Sequence, residues 1–93
     1  LLGDADAMAF LDLVLERGLR VPEDFAVVAY DDEVAAFATV PLTAVAPPKQ
    51  ELGYAALRLC VDRLKQPIGT TPTPVRMALL PALIVRDSSV IPA

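Results

Sequence analysis

The sequence predicts an α/β domain built around a parallel sheet. Three observations carry this: a helical segment over residues 6–17, an apolar run at 25–30 ended by three acidic residues, and an amphipathic stretch over 49–65 that follows a second short apolar run. Helix and strand signals thus alternate, the order expected where parallel strands are joined through helices. With 55% apolar and 22% charged residues among 93, the chain suits one small, well-cored domain and argues against disorder.

Asp6 stands immediately before Ala7-Met8-Ala9-Phe10, where its carboxylate is placed to cap the free amides of a first helical turn. Gly18 is expected as the left-handed residue that closes this helix. Apolar side chains surround most of it, and Asp12, Glu16 and Arg17 are its clear polar positions. Cover is therefore expected on two sides, with core on one and a partner surface on the other. Pro22 fixes φ and biases Val21 away from helix, so residues 19–24 read as a turn. Phe25–Tyr30 is apolar on both faces, as a central strand with helices on both sides would be.

Residues 33–40 suit one or two helical turns before Pro41, and Leu42–Ala46 suits another strand. Pro48 fits the first position of the next helix, where its missing amide costs nothing. Along that helix Leu52, Ala55, Ala56, Leu59, Cys60 and Leu64 recur at steps of three and four, which predicts a buried stripe with Cys60 as a small core residue. Pro67 ends it, and residues 68–74 are loop by composition. Val75–Leu80 and Ala82–Arg86 are β-leaning runs separated by Pro81, which cannot donate to a ladder, so they read as a strand broken at a bend or an edge. Leu1-Leu2-Gly3 reads as the end of a strand that begins upstream. The chain is accordingly expected to be a C-terminal piece of a larger domain, with a cut sheet edge and apolar faces that favour association.

Composition removes several classes of function. The 8 basic and 12 acidic residues give a net charge of −4, with no basic cluster to neutralise phosphates, so any DNA contact is expected from another part of the protein. No stretch approaches the roughly 20 uninterrupted apolar residues of a membrane helix. The start has neither a positive region nor a long apolar core and does not resemble a signal peptide. Histidine is absent, which removes the commonest general base and zinc ligand, and one cysteine forms no internal disulfide. The four glycines are too far apart to cradle a phosphate. No cofactor, no metal and no enzymatic activity are expected.

The strongest candidate for a binding residue lies in Asp31-Asp32, just past the carboxyl end of the expected strand, where ligand crevices of open α/β sheets are found. A carboxylate there is able to accept two hydrogen bonds from neighbouring hydroxyls of a sugar or similar polyol. The alternative is that both are solvated, or that Asp32 caps the short helix that follows. As a catalytic pair they are weak, because adjacent side chains diverge and no second acid or base stands at a suggestive spacing. Lys49 at a helix start is either solvated or turned to a cleft. Tyr30 and Phe37 read as core, and Phe10 as either core or contact.

Asp6-Ala7-Met8-Ala9, Arg17-Gly18-Leu19-Arg20-Val21-Pro22-Glu23-Asp24, Val27-Val28-Ala29-Tyr30-Asp31-Asp32, Pro41-Leu42-Thr43, Glu51-Leu52-Gly53 and Arg86-Asp87-Ser88-Ser89 occur in an order that resembles the C-terminal part of LacI/GalR family transcriptional repressors. The resemblance implies a fragment of a two-lobed, periplasmic-binding-protein-like (type I) fold with Rossmann-like parallel sheets. It places residues 1–46 and about 81–93 in the C-terminal lobe and about 48–80 in the N-terminal lobe. Crossings between the lobes fall near Ala46-Pro47 and Leu80-Pro81. It makes Asp31 an effector contact and Phe10, Phe37, Ala38 and Thr39 part of a homodimer surface. Ala5 stands where the family commonly has Asn before the capping Asp, and Pro47 where a polar hinge residue is frequent. Both are effector-facing positions that depart from the pattern, as Ala29 and Ala44 depart elsewhere. The implied protein is a cytoplasmic repressor whose effector is a sugar or nucleoside-like compound and whose operator DNA is bound by an N-terminal domain absent from this chain. A sugar-binding protein of an ABC transport system shares the two-lobed fold and is the alternative.

Overall fold

The computed structural model describes residues 2–91. Contacts divide the chain into two compact units, Leu1–Pro47 with Pro81–Ala93, and Pro48–Leu80. The first unit holds β1 (Leu2–Gly3), α1 (Asp4–Glu16), β2 (Val28–Tyr30), β3 (Thr43–Ala46) and β4 (Ala82–Ile84), with single 3₁₀ turns at Ala35–Phe37 and Asp87–Ser89. The second holds α2 (Lys49–Leu64). The strands lie in the order β1-β2-β3-β4; the first three are parallel and β4 runs antiparallel to β3. The expected α/β architecture is present, and its sheet is mixed because β4 joins the parallel set in the opposite sense.

α1 starts three residues earlier than its sequence suggests, at Asp4 in place of Ala7. Asp6 is exposed and makes no cap; the carboxylate that does the work is that of Asp4, the first helical residue. Asp4 Oδ1 accepts from the Ala5 amide at 2.9 Å, while Oδ2 accepts from the amides of Glu33 and Val34 at 2.7 and 2.6 Å. One buried carboxylate thus serves the helix start and a loop 29 residues on. At the other end Gly18 is left-handed with φ +78. Its amide donates to Leu15 O at 3.0 Å and that of Leu19 to Val14 O at 3.3 Å, the paired closure that a glycine in this conformation permits.

Ala7, Leu11 and Val14, spaced by four and three, form the buried stripe of α1 and meet Val27, Ala29, Leu42 and Ala44 of the sheet side. Ala35, Ala38 and Val21 complete this core. The core covers one side of α1; on another, Phe10 and Leu13 are exposed, and with residues 19 and 25 they line an apolar groove. In β2, Ala29 is buried on one face, while Val28 is half-buried and Tyr30 exposed on the other. The unit contributes a single α-helix, so one face of the sheet is all that it shields.

Further differences from expectation concern the second unit. No residue of α2 is buried, and only Ala55 and Leu59 of its apolar stripe are half-buried, so Cys60 is exposed rather than a core residue. Pro48 occupies the cap position, one place before the first helical residue. Val75–Leu80 forms no strand; residues 70–81 are irregular, and strand structure resumes only at Ala82, after Pro81. β-propensity alone does not make a strand where no partner edge is offered.

The end of the sheet is clasped by Ser88, which has no solvent exposure. Its amide donates to Pro41 O at 3.0 Å, its carbonyl accepts from Val27 N at 3.0 Å, its hydroxyl accepts from Thr43 N at 2.8 Å, and the same hydroxyl donates to Val27 O. Three chain segments are joined through one small side chain and its backbone. Ser88→Ala leaves the Thr43 amide and one bond of Val27 O unanswered in a dry site and is expected to cost about 1–3 kcal/mol, read as a lower urea midpoint with unchanged slope. Asp4 gives a pH signature. Its carboxyl is held below the usual carboxylate range chiefly by the Val34 amide, with burial opposing and the Glu33, Ala5 and Ala35 amides assisting. A folded pKa below the unfolded value, near 3.9, makes the contribution complete above that pH and removes it as pH falls through the folded pKa. Thermal midpoints should therefore drop on acidification below about pH 4, and Asp4→Asn should lower the midpoint at neutral pH while flattening this dependence.

Candidate functional site

β2 ends at Tyr30, and the chain then turns through Asp31 at φ +78, the one left-handed residue other than glycine among the described residues. An L-residue in this region carries about 1–2 kcal/mol of strain, least for Asp and Asn, and such positions persist where the surroundings fix them. The turn is fixed on three counts. The Asp31 amide donates to Val45 O at 2.9 Å and extends the β2–β3 ladder by one residue. Asp32, next along, is gripped by Arg86. The amides of Glu33 and Val34 are held by Asp4.

The Arg86 grip is two-pronged: Nη1 reaches Asp32 Oδ1 at 2.7 Å and Nη2 reaches Asp32 Oδ2 at 2.9 Å. Nη1 also donates to Leu42 O at 2.9 Å. The backbone of Arg86 is itself pinned, its amide donating to Thr43 Oγ1 at 2.8 Å and its carbonyl accepting from that hydroxyl at 3.0 Å. Thr43 Oγ1 further shares a hydrogen with Ser89 Oγ. The side chains of the pair are 20% and 24% exposed, against 70% and 34% for Arg20–Asp24, so solvent screens it far less than that surface pair. The hydrogen bond from Arg86 holds the Asp32 carboxyl below the usual carboxylate range; burial opposes, the positive charge adds, and Asp4 nearby works against it. Asp32 in turn raises Arg86 further into its charged form.

Of the residues singled out in the sequence, Asp31 is half-buried directly beyond the carboxyl end of β2. Its neighbour Asp32 is neither solvated nor a helix cap but an ion-pair partner. Ala5 lies exposed in the first turn of α1. Pro47 is half-buried at the boundary of the first unit, and Lys49 is exposed at the start of α2 in the second. Among the expected surface residues, Phe10 and Phe37 are exposed, Phe37 to 81%, and Thr39 is exposed with its hydroxyl 3.3 Å from Asp12 Oδ1. Ala38, by contrast, is buried in the core of this chain. Phe37 is exposed where a core position was expected. Nothing local marks Asp4, Thr43, Arg86 and Ser88 as a connected set, since their partners lie 29 to 61 residues away.

The described residues contain no group of three or more His, Cys, Asp or Glu side chains placed to hold a metal ion, and no helix long and apolar enough to cross a membrane. The arrangement offers a rigid acidic turn able to accept hydrogen bonds from a polar ligand.

A family model for the periplasmic binding protein-like domain matches residues 1–89. The chain is 44% identical over 86 residues to the HTH-type transcriptional regulator CelR of Thermobifida fusca, covering 91% of this chain and 24% of that protein. It is 40% identical over 87 residues to the ribose operon repressor of Escherichia coli (strain K12), covering 92% and 26%. The chain thus spans about a quarter of the length of the curated relatives it matches. Among solved structures, a transcriptional regulator CelR–cellobiose complex superposes with a TM-score of 0.82 at 43% identity, covering 94% of this chain and 26% of that one. A LacI family transcriptional regulator from Lactobacillus casei with bound sucrose superposes at 0.76 with 32% identity, covering 94% and 31%. Parallel strands with an acidic turn at their carboxyl end and a model match over nearly the whole length lead to one conclusion: the chain belongs to the periplasmic-binding-protein-like domain family, as a fragment of a LacI/GalR-type effector-binding domain.

Proposed function

We propose that this chain is the effector-sensing part of a cytoplasmic DNA-binding transcriptional repressor and that Asp31 accepts hydrogen bonds from a hydroxylated effector, a sugar or nucleoside-like compound. The observation that carries this is the left-handed Asp31, in a turn anchored on three counts just beyond β2, at the place where open α/β sheets bind ligands. In this reading residues 1–46 and about 81–93 belong to one lobe and about 48–80 to the other. Effector bound between the lobes favours one lobe arrangement, which a homodimer passes to N-terminal DNA-binding heads outside this chain. Pro47 and Lys49 are further candidate effector positions in this reading. Ala5, exposed in the first turn of α1, is a further effector position of this reading. The named relatives are transcriptional regulators, which favours regulation over a transport protein and over an enzyme.

Titration of the protein containing this chain with cellobiose and ribose by calorimetry tests the site. Asp31→Ala is expected to weaken binding about 10- to 100-fold, the loss of one or two charge-assisted hydrogen bonds. Asp31→Gly should weaken it as much while leaving the thermal midpoint equal or higher, because glycine adopts φ +78 without strain. Unchanged affinity in both variants would remove Asp31 from the effector surface. For association, Phe37→Glu places a charge on the most exposed of the expected interface residues and should raise the dimer dissociation constant at least about tenfold in sedimentation equilibrium; an unaltered dimer excludes that surface.

A further inference from the structure

We propose that Arg86 is a positioning residue for the effector contact: it touches no ligand itself and sets the Asp31 carboxylate by locking Asp32. This rests on the site reading above and adds the device that holds the site in shape. A left-handed aspartate is not self-sustaining, since an ordinary extended continuation of β2 would release its strain. The ladder bond from the Asp31 amide to Val45 fixes the residue on its upstream side. Downstream, the next side chain is clamped by two parallel bonds from a planar guanidinium, at 2.7 and 2.9 Å. Such a fork fixes direction as well as distance, which a lysine ammonium does not.

The clamp is anchored as a rigid part would be. Arg86 is bound at its amide and carbonyl to the Thr43 hydroxyl and at its Nη1 to Leu42 O, one residue before β3, so the guanidinium is supported before it reaches Asp32. Asp4 holds the two amides that follow, and the turn therefore has no loose end. Asp31, between the ladder bond and the clamp, is left with one backbone course. Its carboxylate is preorganised, and binding does not have to order it.

The test is a double-mutant cycle in the protein containing this chain, with cellobiose and ribose titrated well below the thermal midpoint of every variant, and with amide hydrogen exchange read in the absence of ligand. Arg86→Gln should weaken sugar binding about tenfold, and Arg86→Lys nearly as much, since charge without the fork does not position. Asp31→Ala introduced into Arg86→Gln should cost less than about threefold, far below its effect alone, because a misplaced carboxylate has little left to lose. Without ligand, Arg86→Gln should speed exchange at the Asp31 amide about tenfold and leave the amides of residues 11–15 unchanged. Arg20→Gln, which breaks the exposed pair, should change none of these. Asp32→Asn cuts the same clamp without shortening a side chain and serves if the Arg86 variants fold poorly. Arg86→Gln with near-wild-type affinity, multiplicative losses, or unaltered exchange at Asp31 overturns the proposal. If Asp31→Ala alone is silent, the site reading fails and the positioning role with it; if Asp31→Ala is damaging and Arg86→Gln is silent, only the positioning role fails. Should neither sugar bind, the exchange measurement decides by itself.

Discussion

The turn after β2 exists because charged and polar groups from three distant segments converge on four consecutive residues. Asp4 supplies a carboxylate to the amides of 33 and 34, Val45 a carbonyl to the amide of 31, and Arg86 a guanidinium to the carboxylate of 32. These contacts are shielded from water to different degrees, and the strain at Asp31 is tolerated because all of them act together. The order of causes runs from buried hydrogen bonding to backbone conformation to the direction in which one acidic side chain points. Local preference would not produce this turn, since the Asp-Asp-Glu sequence favours no left-handed residue over another course.

What was legible in the sequence followed from periodicity and punctuation. The apolar run ending at Tyr30, the break at Pro41, the left-handed Gly18 and the helix after Pro48 all appear within a few residues of where composition puts them. The acidic turn was legible too, as a run of carboxylates after a strand. The anchors were not. Asp6 looked like the cap because it precedes the densest helical run, yet Asp4 wins by reaching the Glu33 and Val34 amides, a contact that only the folded chain supplies. Arg86 and Ser88 stood in a stretch distinguished only by its likeness to related proteins, and nothing local marks a serine that will lose all its exposure. Val75–Leu80 shows the reverse failure, strong β-propensity with no ladder to join.

Burial explains the remaining differences. Tyr30 of β2 and the Phe10–Leu13 flank of α1 are exposed, and α2 shows an apolar stripe with no buried member. The sequence pattern records apolar faces, whereas the described residues of the first unit include one α-helix, α1, to cover its sheet. Amphipathic spacing is therefore a statement about the assembled domain. Cys60 illustrates this, placed by periodicity on an apolar face and exposed here.

The clasp formed by Arg86 and Ser88 has a temporal side. Its partners Asp32 and Val27 lie 54 and 61 residues upstream, so α1 and β2 are complete long before the groups that seat the acidic turn have been synthesised. Contacts of such separation carry a large loop-closure entropy and form late. During translation the clamp on Asp32 has no partner until residues 82–89 have emerged from the ribosome. The acidic turn therefore takes its anchored shape only after the segment carrying Arg86 has been made.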